Sequence, residues 1–139
     1  MPKIIGNLKG NVSENMAIKF LVKRGYFIVW ANYVSYYGEI DIIAYKMGTI
    51  HFFEVKSVTH VTNRGYSTNI SHETSNCLYL PHFNMSSRKL DKIAKTAEVF
   101  INDNMLFMKH WQINLVSVIH NYSVNRVKST SIKIFYNVI

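Results

Sequence analysis

Asp41, Glu54 and Lys56 stand in the pattern D-x12-E-x-K. Two carboxylates brought face to face repel, and a divalent cation resolves that repulsion. A lysine beside them can neutralise charge and orient a water or a phosphate oxygen. All three residues lie in the stretch 38–56, GEIDIIAYKMGTIHFFEVK, where acids interrupt otherwise apolar strands. An ionised acid in such a strand is costly unless it is paired or coordinates a metal. Alternate strand residues share a face, which groups Glu39 with Asp41 and Glu54 with Lys56. A two-residue turn at Met47-Gly48 would set Asp41 opposite Glu54 and Glu39 opposite Lys56. Opposed Cβ atoms are about 4.5–5.5 Å apart, so both carboxylates can reach one ion at about 2.0–2.6 Å.

This arrangement suits metal-assisted phosphodiester hydrolysis. Asp41, Glu54 and the carbonyl of Val55 would hold Mg²⁺ or Mn²⁺, which keeps several waters. Lys56 would position the attacking water or stabilise charge on the phosphoryl group. Glu14 would reach the metal through water or help hold a second ion. Glu39 is expected as the salt-bridge partner of Lys56 or as an outer ligand. The structural alternative is a buried ion-pair network of Glu39, Asp41 and Lys56 without catalysis.

Several elements must position these groups. Asn11 and Glu14 form a capping-box pattern, followed by a helix over 12–24 that ends at Gly25. Val12, Met16, Ala17, Phe20 and Leu21 suit its buried face. Residues 26–34, YFIVWANYV, read as a strand. Strands over 39–45 and 49–57 then form the hairpin, apolar on both faces and so expected at the centre of a sheet covered by helices. Ser86 or Ser87 caps a second helix over 87–102, with Leu90, Ile93, Ala94, Ala97 and Ile101 as its buried stripe. Residues 112–119 alternate enough for a strand, and 120–139 for a final hairpin. The order α-β-β-β-loop-α-β-β predicts a single α/β domain with a mixed sheet.

The chain has 139 residues, 48% of them apolar, and a net charge of +8. That argues for one folded core and for attraction to nucleic acid, such as DNA, or to an anionic surface. There are only eight acids, and those preceding His72 are Glu14, Glu39, Asp41 and Glu54. A phosphate-gripping protein is expected to be poor in acids except where a metal needs them. Arg88, Lys89, Lys92 and Lys95 on the second helix are candidate phosphate contacts. Residues 57–86, rich in Ser, Thr, Asn and His, read as a long loop, on which Arg64 could follow a nucleic-acid backbone. The spacing of His60, His72, Cys77 and His82 matches no recognised zinc pattern. Cys77 is the single cysteine, which excludes a disulfide framework within the chain and fits a reducing, cytoplasmic compartment. No apolar run reaches membrane-span length, so a soluble chain is expected.

GEIDIIA followed by FFEVK resembles the YraN-like family of predicted endonucleases. Ser13-Glu14, Ala17, Leu21, Gly25-Tyr26, Asn32, Lys89-Leu90, Ala97 and QINLVSV also match its pattern, so the resemblance covers most of the chain. It implies kinship with archaeal Holliday-junction resolvases, the PD-(D/E)XK superfamily and a restriction-endonuclease-like α-β-β-β-α-β core. It also implies Asp41, Glu54 and Lys56 as catalytic positions, Glu14 as the helix acid, and a homodimer. The chain departs from the pattern at Ile40, where the superfamily name has proline. Val34 and Val58 stand where the family has arginine, and Asn114 where it has aspartate.

Two functions of different class follow. One is a Mg²⁺-dependent endonuclease acting on DNA, including branched or structured DNA. The other is a non-catalytic nucleic-acid-binding module on the same fold. A third reading, an assembly partner dimerising through the C-terminal hairpin, rests on the apolar alternation of residues 132–138.

Overall fold

The computed structural model describes residues 5–6, 11–62, 85–123 and 126–139. In chain order the elements are β1 (Ile5–Gly6), α1 (Val12–Lys23), β2 (Phe27–Val34), β3 (Glu39–Lys46), β4 (Thr49–Thr62), α2 (Ser87–Asp103), β5 (His110–Ser123) and β6 (Arg126–Phe135). Among the described residues they form one sheet of six strands in the order β1-β2-β3-β4-β5-β6. The pairs β1–β2 and β4–β5 are parallel, and the other three are antiparallel. The run α1-β2-β3-β4-α2-β5 is the expected α-β-β-β-α-β core with a mixed sheet flanked by helices.

Side-chain alternation on the central strands sorts the core into two layers. Ile42, Ala44, Phe53, Val116 and Val118 pack with Ala17 and Leu21 of α1. Ile43, Phe52, Ile113 and Leu115 pack with Ile93, Ala97 and Phe100 of α2. Phe52 and Phe53 are neighbours with no exposed area, one in each layer. Burying each stabilises the fold by about 1.5–3 kcal/mol. A strand pair apolar on both sides must lie between two covering layers, and β3–β4 does.

α1 begins as its sequence dictates, with the Asn11 side chain accepting from the Glu14 amide at 2.9 Å. It ends in a Schellman arrangement. Gly25 donates to the Val22 carbonyl and Tyr26 to that of Leu21, with Gly25 at φ +83°. Tyr26 and Leu21 then pack in the same layer. The buried face differs from the expected one at its start. Ser13 is buried and Val12 is 72% exposed, because Ser13 finds hydroxyl and imidazole partners on the sheet.

Other boundaries moved too. The lead-in contributes β1, which pairs with Trp30 and Ala31. β4 runs to Thr62, past the expected end at 57, because β5 pairs with it along its whole length. The C-terminal segment is not a separate hairpin after β5. β5 itself continues to Ser123 and pairs with β6. Arg64, His72, Cys77 and His82 lie outside the described residues, as does most of the expected long loop. No described helix is long and apolar enough to cross a membrane.

Candidate functional site

The turn at Met47-Gly48 has the predicted form, with φ of 47° and 82°. Positive φ at both central residues is the hairpin turn that matches strand twist. It fixes the β3–β4 register from Lys46↔Thr49 to Ile42↔Phe53, as the sequence predicts. Beyond Ile42 the ladder gives way to the side chain of Asp41, whose Oδ2 accepts from the Val55 amide at 2.7 Å. On the other edge of β3, the register with β2 passes from Ala31↔Ile42 to Tyr33↔Ile40. Both registers therefore pass over Asp41. Across from it, Asn32 takes a left-handed φ of 55°, a conformation asparagine tolerates better than most residues. This local irregularity sets the Asp41 carboxylate against the start of the E-x-K segment.

Glu54 is buried, with 5% of its surface exposed. Two ammonium groups meet its Oε1: Lys56 Nζ at 3.3 Å and Lys89 Nζ at 3.2 Å. Its Oε2 is buried and makes no hydrogen bond. Glu14 enters from the first turn of α1. Its Oε1 accepts from Asn11 Nδ2 at 3.2 Å, and its Oε2 is also buried without a partner. Asp41 lies within electrostatic reach of both glutamates. Burial first, then the Glu54 charge, then that of Glu14 push its carboxyl up to about 7, against the pull of the Val55 hydrogen bond and Lys89. Three acids from α1, β3 and β4 thus share one region of field, two of them with an orphaned buried oxygen.

The expected partnership of Glu39 with Lys56 does not form. Glu39 is exposed and pairs in the β2–β3 register with Val34, while Lys56 turns to Glu54 on its own strand. Strand twist and the Asp41 irregularity carry Glu39 away from the hairpin centre. The basic residues of α2 divide. Lys89 belongs to the site through Glu54. Arg88 and Lys92 are exposed, and Lys95 is exposed but bonded to Asp91 at 3.0 Å. Among the described residues no three His, Cys, Asp or Glu side chains are placed to cage an ion by themselves. Mg²⁺ does not need such a cage, since one or two carboxylates with waters and substrate phosphate suffice.

A model of the uncharacterised protein family UPF0102 matches residues 13–119. The chain belongs to the UPF0102 family. A UPF0102 protein of Sulfurimonas denitrificans is 39% identical over 102 residues, covering 73% of this chain and 78% of that one. One from Petrotoga mobilis is 35% identical over 120 residues, covering 86% and 93%. A third, from Campylobacter fetus, is 39% identical over 117 residues, covering 82% and 86%. The stretch matched to UPF0102 contains Glu14, Asp41, Glu54, Lys56 and Lys89, and stops before β6.

Two polar groupings in this UPF0102 protein escape a motif search. Ser13 Oγ lies 3.1 Å from Ser57 Oγ and from His120 Nε2, and His120 Nδ1 lies 3.3 Å from Thr130 Oγ1. This chain of hydroxyls and imidazole ties α1 to β4, β5 and β6, one residue from Glu14. Next to Phe53 in the β4–β5 register, fully buried Asn114 meets His51 Nδ1 at 3.0 Å through its amide nitrogen. Its oxygen accepts from Gln112 at 2.8 Å and from the Asn137 amide at 3.1 Å. Asn114 thereby satisfies three groups where the family pattern has aspartate, on β5 beside Phe53, the neighbour of Glu54. The alternation of QINLVSV gave Asn114 a buried face, but nothing in the sequence gave its partners.

Proposed function

We propose that this UPF0102 protein is a Mg²⁺-dependent endonuclease that hydrolyses phosphodiester bonds in DNA, and that it works in the cytoplasm. The observation that carries this reading is the electrostatic coupling of Asp41 to Glu54 and Glu14 in a protein otherwise poor in acids. Two of the three hold buried oxygens without hydrogen bonds, and the third is a carboxyl raised to about 7 by burial first and then by the Glu54 charge. Buried acids that repel one another fit a divalent cation. Asp41, Glu54 and the Val55 carbonyl would hold it, with Glu14 behind them. Bound there, the ion supplies Lewis acidity toward a phosphoryl oxygen and lowers the pKa of a water.

The chain's own residues do the rest. The Val55 amide locks the Asp41 carboxylate in place through Oδ2. Lys56 and Lys89 stand at the carboxylate edge, where they meet an incoming phosphate with positive charge. Lys56 takes two roles: it balances Glu54 before substrate binds and stabilises negative charge on the phosphoryl group afterwards. Exposed Arg88 and Lys92 extend that positive field along α2.

The test is nicking of structured and duplex DNA with Mg²⁺ or Mn²⁺ by the purified wild type. Asp41→Ala should abolish it, and Lys56→Ala should lower the rate by about 10²–10³, the usual effect of losing one charge-stabilising donor. Cleavage by Asp41→Ala at the wild-type rate would sink the assignment.

One observation favours a second reading, a non-catalytic DNA-binding module. Two ammonium groups on one carboxylate oxygen already neutralise Glu54 without an ion. That module predicts salt-sensitive DNA binding that survives Asp41→Ala, with no metal-dependent cleavage by any form.

A further inference from the structure

We propose that the turn between β2 and β3 is a base-stacking platform, which directs the site toward DNA with unpaired bases beside the cleaved bond. The partner's identity as DNA rests on the nuclease reading, while the platform itself rests on separate observations.

The turn presents Tyr36 with 97% and Tyr37 with 45% of their surface exposed. Their rings meet edge to face, 5.5 Å between centroids and 83° between planes. An aromatic ring left almost wholly in water contributes nothing to the core. This turn is nevertheless built to hold it. Ser35 donates its amide to the Gly38 carbonyl at 2.8 Å, and the Tyr37 amide donates to Ser35 Oγ at 3.1 Å. Ser35 Oγ in turn donates to Thr96 Oγ1 on α2 at 3.0 Å, and Thr96 is fully buried. Gly38 lies flat against the helix: a Cβ built there would sit 3.6 Å from both Lys92 Cβ and Thr96 Oγ1. A backbone turn held against α2 suits stacking, because the cost of ordering the segment that carries the rings is met before the ligand arrives.

Charge decides the occupant. The helix under the turn exposes Arg88 and Lys92, and Lys95 is within electrostatic reach of Tyr37. A basic track with aromatic faces beside it is the pattern that binds single-stranded nucleic acid. A duplex keeps its bases stacked inside and offers a ring in solution no face, so the platform acts on unpaired bases. The geometry also gives a position. The turn touches α2 at Lys92 and Thr96, and Lys89 marks the carboxylates. Helix rise places these contacts about 4.5–10.5 Å apart along the axis. At about 3.4 Å per stacked nucleotide, the stacked base lies about one to three nucleotides from the scissile phosphate.

The experiment measures binding in EDTA to a blunt duplex and to the same duplex carrying a short single-stranded flap with a fluorescent adenine analogue. Wild type, Tyr36→Ala and Tyr36→Phe are compared. The wild type should prefer the flap and quench the analogue. Tyr36→Ala should weaken flap binding about five- to tenfold, the lower part of the range for losing one stacked base, and leave duplex binding unchanged. Tyr36→Phe should retain the preference. Equal wild-type affinity for both DNAs, or equal weakening on both by Tyr36→Ala, overturns the platform. Mg²⁺-dependent cutting is read separately. Flap preference without cutting removes the nuclease reading and leaves the platform; cutting without flap preference does the reverse. Binding of neither DNA removes both.

Discussion

Asp41→Asn removes one charge from the candidate site and almost nothing else, since the amide keeps an oxygen able to accept from the Val55 amide. In the folded protein the Asp41 carboxyl titrates at about 7 against its ordinary 3.8, through burial first and the Glu54 charge second. Between those pH values the folded chain binds a proton that the unfolded chain has released. Stability must therefore fall as pH rises through that window. The cost is absent below about pH 4 and fully present above about pH 7. A carboxyl displaced that far costs about 4 kcal/mol at 1.36 kcal/mol per pH unit. Coupling to Glu54 and partial exposure of Asp41 bring the expected gain of the asparagine variant to about 2–4 kcal/mol at pH 8. For a chain of this length that is a rise in Tm of about 6–15 °C. Thermal denaturation in EDTA, at pH 4 and pH 8, reads it directly. The two proteins should melt together at pH 4 and apart at pH 8, and Mg²⁺ at pH 8 should stabilise the wild type alone. An unchanged Tm at pH 8, or the same gain at both pH values, would refute the argument that burial and the Glu54 charge strain the ionised Asp41.

Further perturbations address the surrounding parts. Lys89→Met should tighten Mn²⁺ binding by about tenfold, because two cations sharing one carboxylate, on the order of 5 Å apart, repel by more than 1 kcal/mol even at the dielectric of water; calorimetric titration measures it, and no Mn²⁺ binding by either form supports the ion-pair alternative. Asn114→Asp should reverse the shift at His51, whose imidazole is now held low by burial and by Lys46. The new carboxylate would favour the imidazolium, so its stabilisation is present at low pH and lost as pH rises through the raised value, as a proton NMR titration of His51 would show. Gly48→Ala should destabilise by about 1–2 kcal/mol in chemical denaturation, because its φ of +82° is strained for any Cβ while the space around it is open.

The fold was legible where local chemistry and periodicity agreed. Asn11, Glu14 and Gly25 bound α1 because caps act on the nearest backbone groups. Met47-Gly48 fixed the hairpin register because a two-residue turn leaves no other pairing. What was not legible depended on distant partners. Thr59 to Thr62 read as loop by composition, yet they pair with His120 to Ser123. Ser13 read as a polar helix position, and Val12 as the buried one. The sheet reverses that choice by offering Ser57 and His120 at hydrogen-bond distance. Phe100, on the buried face of α2, packs on Phe52 and Tyr33, contacts that no property of 87–102 could name.

The site divides along the same line. The hairpin that Met47-Gly48 closes brings Asp41 to the start of the E-x-K segment, though it meets the Val55 amide through its side chain and not Glu54 through the ladder. Register failed for Glu39, which requires the strands to stay flat beyond Ile42, and they do not. It could not reach Lys89, whose role depends on where α2 crosses the sheet. That crossing has a chemical consequence. Lys89 and Lys56 satisfy one oxygen of Glu54 and leave the other bare, so the acid is neutralised without being saturated. A purely structural ion pair gains most when every buried oxygen finds a donor. Glu54 does not achieve this, nor does Glu14, and the carboxyl between them is held at about 7. The same two lysines that make an ion-free state tolerable therefore leave one buried oxygen of Glu54 without a donor, the position that a cation would satisfy in the proposed nuclease.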